Sequence, residues 1–159
     1  MAQEKVSFEK FLEAVEAENR GFILDLDEFM VSNGCKATIE EKKNGFLASY
    51  KHVKLKRSII NVLFRKAGML VRIYGENAHN YLEFMNGLPK EMVESISGSG
   101  DCGRLVNNTC STKCSGYDVT IGGERYQKCR YNAFEFLVTE ESKPFIKLFI
   151  ENELRERVK

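Results

Sequence analysis

Lys36-Ala37-Thr38-Ile39-Glu40-Glu41-Lys42-Lys43-Asn44-Gly45-Phe46-Leu47-Ala48-Ser49-Tyr50-Lys51 decides the fold class of this chain. The pattern on both sides of Asn44-Gly45 has a period of two, and both turn residues tolerate positive φ, so the stretch predicts a hairpin with strands over 36–42 and 46–51. Immediately downstream, Arg57–Arg65 and residues 69–74 flank Lys66-Ala67-Gly68 and predict a second hairpin. Its first arm, Ser58-Ile59-Ile60-Asn61-Val62-Leu63-Phe64, is apolar on both faces, as expected of a central strand covered on both sides. Four antiparallel strands in chain order is the simplest reading.

Upstream the period is helical. Ser7 is placed to cap a helix, Val6 and Phe11 to form a hydrophobic staple, and Phe8, Phe11, Leu12 and Val15 follow i, i+3, i+4, i+7 spacing. Arg20-Gly21 interrupts the pattern. Phe22, Leu26, Phe29 and Met30 resume it up to Asn33-Gly34, a good C-terminal stop, which gives one broken helix or two. Downstream of the hairpins, Asn77 is expected to cap a helix carrying Tyr81, Leu82 and Met85. Pro89 opens another with Met92, Val93 and Ile96. Residues 101–116 read as irregular. Residues 117–121 and 125–129 form a third predicted hairpin through Gly122-Gly123. Phe134, Phe136 and Val138 alternate as a strand would, with helix as the alternative over 125–138. Ser142 and Pro144 start a last helix through Phe145, Leu148, Phe149 and Leu154.

Together these elements predict an α+β fold: an antiparallel sheet of about four to six strands, an N-terminal helical segment, and further helices packed on the sheet. The 159 residues suit a single domain over 1–159, with a cysteine-rich loop and hairpin at 101–129 inside it. Hydrophobic residues make up 43%, including 11 Phe, enough for a core expected to bury Phe11, Phe22, Phe29, Ile60, Val62, Phe64, Val71 and Ile73. The 24 basic and 23 acidic side chains argue against disorder and against a wholly basic nucleic-acid binder. Their distribution is uneven. Residues 1–34 hold 3 bases and 8 acids, residues 35–75 hold 10 bases and 2 acids, and residues 76–100 hold 1 base and 4 acids. The first sheet is therefore basic between acidic helices.

The N-terminal stretch MAQEKVSFEKFLEAVEAENR carries charges every few residues and lacks the apolar run of a signal peptide; no later run reaches the length of a membrane span. The expectation is a cytoplasmic protein without membrane partners, in which stable disulfides are rare.

Cys102, Cys110, Cys114 and Cys129 give C-x7-C-x3-C-x14-C, four of the five cysteines within 28 residues. Thiolates bind zinc tetrahedrally, so the four are candidate ligands of a structural zinc, although the first gap is wider than the usual knuckle spacing. Segment 101–116 has few large apolar side chains to offset its ordering entropy, and a metal clip would supply that stabilisation. Arg104, Lys113, Lys128 and Arg130 adjoin the cysteines and would offset the charge of a zinc tetrathiolate. Buried free thiols, or a redox pair, are the competing readings. Cys35 stands apart as a strand-edge thiol.

Other motifs carry less. Gly98-Ser99-Gly100-Asp101-Cys102-Gly103 matches the dinucleotide fingerprint literally, but it follows a helix and precedes a loop, the wrong context for pyrophosphate. Cys35 could pair with His52 or His79 as a nucleophile and base, yet nothing local marks such a dyad, and both histidines read as exposed. Glu40-Glu41 and Asp25/Asp27 read as solvated carboxylates. Lys51, Lys54, Lys56 and Arg57 make a basic patch that could neutralise phosphates, with Tyr50 or Tyr74 to stack a base. The acidic helices and the lack of an aromatic RNA-binding pattern disfavour nucleic acid.

Gly116-Tyr117-Asp118, the run Glu124-Arg125-Tyr126-Gln127-Lys128-Cys129-Arg130-Tyr131, Phe134-Glu135-Phe136, the strand end Arg72–Gly75 and the spaced cysteines resemble small uncharacterised bacterial cytoplasmic proteins. The resemblance implies a bacterial cytoplasmic protein and brings no catalytic residue with it. The residues themselves favour a non-enzymatic ligand-binding or regulatory domain. Its site would be a pocket for a small anionic molecule using Tyr50, Arg57, Arg72 and Tyr74. An enzyme built on a reactive cysteine or a metal is the first alternative, and nucleic-acid binding through 51–57 the second.

Overall fold

The computed structural model describes residues 6–43, 45–102, 105, 116–129 and 133–158. The fold is α+β. A five-stranded antiparallel sheet has the order β1 (Cys35–Lys42), β2 (Gly45–His52), β3 (Arg57–Arg65), β4 (Gly68–Ile73) and β7 (Phe134–Leu137), and a separate hairpin is made of β5 (Tyr117–Ile121) and β6 (Glu124–Lys128). The helices are α1 (Phe8–Ala14), α2 (Ala17–Ser32), α3 (Leu82–Met85), α4 (Lys90–Ser97) and α5 (Ser142–Arg157), with a 3-10 turn at Ala78–Asn80. The chain divides into two compact units, Met1–Arg72 with Leu137–Lys143, and Ile73–Phe136 with Pro144–Lys159.

In the first unit the hairpin register runs from Cys35 opposite His52 to Lys42 opposite Gly45, as the alternation predicts. Gly45 has φ +134°, and a Cβ there would lie 2.8 Å from the Phe64 ring, so both conformation and space demand glycine. β3 is buried from Ile59 to Leu63 on both faces. Ala48, Tyr50, Ile60 and Val62 share one face with Ile39. Phe11 of α1 sets its ring against Phe46 and Phe64, 6.4 and 5.9 Å between centroids.

The helices depart from the expected positions. The break falls at Val15, whose extended backbone (ψ 134°) separates α1 from α2, and Arg20-Gly21 lies inside α2. Val15 is buried, and the Arg20 guanidinium donates to the carbonyls of Val15 and Glu13, closing the C-terminal end of α1. Arg20 thus makes the break without occupying it. Because α2 starts at Ala17, its buried stripe is Asn19, Ile23, Leu26 and Met30. Phe22 and Phe29, expected in the core, are half-buried beside it, as is Phe64.

The second unit is built around aromatic rings. Phe149 of α5 meets Tyr81, Phe84, Phe134 and Phe136 at 5.6–6.0 Å between centroids. Gly75 packs beneath, where a Cβ would come within 3.1 Å of Phe134 and 3.2 Å of Phe149. Gly122 and Gly123 both have positive φ and close the β5–β6 hairpin as predicted. Residues 134–137 are strand, which settles that choice against helix. Asn77 does not cap the segment after it: its side chain and its amide both donate to Glu153.

Candidate functional site

β2 ends at His52 and β3 starts at Arg57, and the turn between them is closely held. The Lys56 amide donates to the His52 carbonyl (2.8 Å) with Lys56 at φ +55°, the Leu55 amide donates to His52 Nδ1 (3.2 Å), and the Val53 amide donates to the Gly34 carbonyl (3.0 Å). The backbone polar groups face inward, so the side chains face out. Lys51, Lys54, Lys56 and Arg57 are exposed, with Val53 (62%) and Leu55 (37%) between them. Lys36 of β1 stands directly opposite Lys51 and is also exposed. Like charges facing across a ladder repel. This end of the sheet therefore concentrates positive charge on a fixed backbone.

The residues expected to form an anion pocket are distributed differently. Tyr50 is enclosed in the first unit, and its hydroxyl donates to Asp27 Oδ1 (2.7 Å). Burial, and then the Asp27 hydrogen bond and charge, push its ionisation far above the usual phenol range. Asp27 is accordingly half-buried and engaged. Arg57 is exposed at the start of β3. Arg72 is half-buried on β4 of the first unit. Tyr74 belongs to the second unit, where its carbonyl accepts from Arg157.

Cys35 and His52 are cross-strand partners, and both are buried, whereas the sequence reading placed His52 in an exposed loop. Nδ1 of His52 accepts the Leu55 amide, so the neutral ring carries its proton on Nε2. His79 is exposed and lies 5.7 Å from the Tyr117 ring.

Residues 100–102 extend the β5–β6 hairpin. Asp101 bridges antiparallel to Lys128. The Cys102 amide donates to the Gln127 carbonyl and the Cys129 amide to the Gly100 carbonyl, both at 2.9 Å. Alternation then puts Asp101 and Lys128 on one face of this ribbon and Cys102 and Cys129 together on the other, as diagonal neighbours. On the first face, Lys128 Nζ, only 7% exposed at its side chain, donates to the Ser97 carbonyl (2.7 Å), the Ser99 carbonyl (3.0 Å) and Asp101 (2.7 Å). Lys128 therefore closes the end of α4 and points away from the thiols it was expected to neutralise. On the second face, Cys102 packs on Gly116, where a Cβ would lie 2.3 Å from Sγ and 2.9 Å from the Lys128 carbonyl. Cys102 and Cys129 are free thiols. Cys110, Cys114, Arg104, Lys113 and Arg130 lie outside the described residues. Among the described residues no three metal-binding side chains gather.

One buried centre was not anticipated. Glu153 on α5 is fully buried. Its Oε1 accepts the Asn77 amide (3.0 Å) and the Tyr81 hydroxyl (2.6 Å), and its Oε2 accepts Asn77 Nδ2 (3.1 Å) and Arg157 Nε (2.6 Å). Glu76 lies 3.7 Å from Arg157. Burial and then the Glu153 charge hold the Tyr81 hydroxyl well above its ordinary range. The sequence does carry a signal for this centre. Ile146, Phe149, Ile150, Glu153 and Arg157 fall on one helical stripe, so the pair sits where the pattern demands apolar residues. With four donors on one carboxylate, the centre holds α5 to the segment after β4 rather than presenting a reactive group.

Comparison with family models, with curated proteins and with solved structures finds no match to this chain.

Among the described residues no helix is long and apolar enough to cross a membrane. The basic turn is exposed and fixed, the ionisable centres at Glu153, Lys128 and Tyr50 are engaged internally, and the two described thiols of the cluster share a face.

Proposed function

We propose that this chain is a non-enzymatic binding domain that takes an anionic partner at the basic end of its first sheet, through Lys36, Lys51, Lys54, Lys56 and Arg57. The observation that carries this reading is the Lys36–Lys51 pair, two exposed like charges directly opposed beside a turn of further lysines. An anion between them would relieve that repulsion, as phosphates do at lysine clusters. The internal engagement of Glu153, Lys128, Tyr50 and His52 supports binding over acid–base or thiol catalysis. A thermal melt with and without tripolyphosphate tests the reading. A rise in Tm that the Lys36→Gln/Lys51→Gln variant abolishes is expected, and an unchanged Tm overturns it.

The second unit, on the same proposal, carries a structural zinc on Cys102, Cys110, Cys114 and Cys129 in a cytoplasmic setting that keeps the thiols reduced. The shared face of Cys102 and Cys129 supports it, because both thiols then lie on the same side of the ribbon. Zinc at one equivalent in the protein purified without a tag is the expected result, and a metal-free protein with four titratable thiols in this cluster overturns it.

A further inference from the structure

We infer that the anion met by this end of the sheet is the surface of an anionic lipid bilayer, a peripheral partner in place of the expected absence of membrane partners, with the β2–β3 turn as the docking element; the inference rests on the anion-binding reading above. Lysines alone would suit any polyanion, and the aliphatic side chains make the distinction. Val53 is 62% exposed and Leu55 37%, and they alternate with Lys54 and Lys56 at the apex of the turn. Val31, 54% exposed at the end of α2, belongs to the same corner: its carbonyl accepts the Gly34 amide, and the Gly34 carbonyl accepts the Val53 amide. Val31 and Val53, each more than half exposed, and Leu55, partly exposed, lie on segments these bonds tie together, and exposed aliphatic groups are unfavourable in water and favourable at the boundary between headgroups and acyl chains. The basic groups around them suit the headgroup phosphates, and long lysine stems let the ammonium stay at that level while the apex descends.

Charge on the chain agrees. No acidic residue occurs between Glu41 and Glu76, so the turn and both strands it joins carry positive charge only. In sequence, the acids of α2 next before Val31 are Asp27, engaged with Tyr50, and Glu28, which is exposed. The backbone is already fixed by the bonds to His52 and Gly34, so little ordering accompanies docking. A single-stranded nucleic acid is the poorer fit: stacking on aromatic rings supplies much of that affinity, and the aromatic neighbour of this turn, Tyr50, is enclosed.

The test is co-sedimentation of the full chain with phosphatidylserine–phosphatidylcholine vesicles, against vesicles of phosphatidylcholine alone and against soluble tripolyphosphate. Binding to the serine-lipid vesicles that declines with salt is expected, with no binding to phosphatidylcholine. Each of Lys54→Gln and Lys56→Gln should weaken it about fivefold. Val53→Ser/Leu55→Ser should weaken vesicle binding about tenfold or more while leaving tripolyphosphate binding unchanged. Both substitutions are at exposed positions, and an unaltered melt verifies folding. Full vesicle binding by the serine variant, or equal binding to both vesicle types, overturns the inference. Tripolyphosphate binding without vesicle binding overturns the lipid assignment alone, and failure to bind tripolyphosphate overturns the anion reading and the lipid assignment with it.

Discussion

Lys36 and Lys51 stand directly opposite each other in the β1–β2 ladder, both exposed to water. Stability and binding therefore pull in opposite directions at this pair. Lys51→Glu should raise stability by about 0.3–1 kcal/mol, because an opposed pair of unlike charges replaces one of like charges. The same change should weaken tripolyphosphate binding by about fivefold or more. Chemical denaturation and a binding titration on one preparation measure both. A loss of stability would show that the pair does not repel as its register requires.

Gly116 is fixed by the thiol packed on it. Gly116→Ala should destabilise the second unit by about 1–3 kcal/mol, since the added methyl meets Cys102 Sγ and the Lys128 carbonyl. Cys102→Ala in the same chain should recover part of this loss but not all, because the carbonyl contact stays. A double-mutant cycle in urea reads the coupling.

Cys102 and Cys35 should differ in their dependence on metal. Cys102→Ser should lower bound zinc and loosen the 101–129 segment, whereas Cys35→Ser, in the other unit, should leave zinc content unchanged. Native mass spectrometry with amide hydrogen exchange separates the two outcomes. Equal zinc in both variants would remove Cys102 from the ligand set.

Glu153 is held by Arg157, Tyr81 and Asn77 in a site closed to water. Glu153→Gln preserves shape but removes the charge opposite Arg157, and should cost about 3–5 kcal/mol. Adding Arg157→Met should cost less than the two single changes together, because the Glu153–Arg157 pair is then removed as a unit and only Glu76 loses a partner. Denaturation midpoints of the three variants decide the point.

Alkali should unfold the protein through its buried phenols. Tyr50 and Tyr81 ionise in the folded state only well above the range of an unfolded tyrosine. Their raised values leave stability intact below about pH 10 and remove it as pH rises above that, with a slope of about 1.4 kcal/mol per pH unit for each. Tyr50→Phe should remove one of the two slopes. Melts between neutral and strongly alkaline pH measure it, and an unchanged slope in the variant would contradict the burial of Tyr50.

Strands and turns were legible because their signals are local. Gly45, Gly122 and Gly123 take positive φ, a signal carried by the turn itself, and Ser58–Phe64 shows burial on both faces without reference to any other segment. The site was less legible. Lys51, Lys54, Lys56 and Arg57 are visible as a charge run, but their pairing with Lys36 depends on register across a hairpin. Tyr50 read as a stacking or pocket group, and the structure instead buries it, because its hydroxyl finds a partner far along the chain. Asp27, 23 residues away in sequence, is that partner.

By itself, the amino-acid sequence determined the α+β class, the hairpins, the stop at Asn33-Gly34 and the concentration of positive charge in residues 35–75. Each follows from spacing or composition within a few residues. Only the tertiary structure decided that Arg20 closes α1 from within α2, that Lys128 turns to the carbonyls of Ser97 and Ser99, that Cys102 and Cys129 share a face, and that Glu153 is buried among four donors. The physical reason at Lys128 and Glu153 is the same, while the shared face of the two cysteines follows from strand register between distant segments. A buried polar group takes whichever partner the fold brings within hydrogen-bond distance, and that partner is chosen by packing between segments rather than by neighbours in the chain.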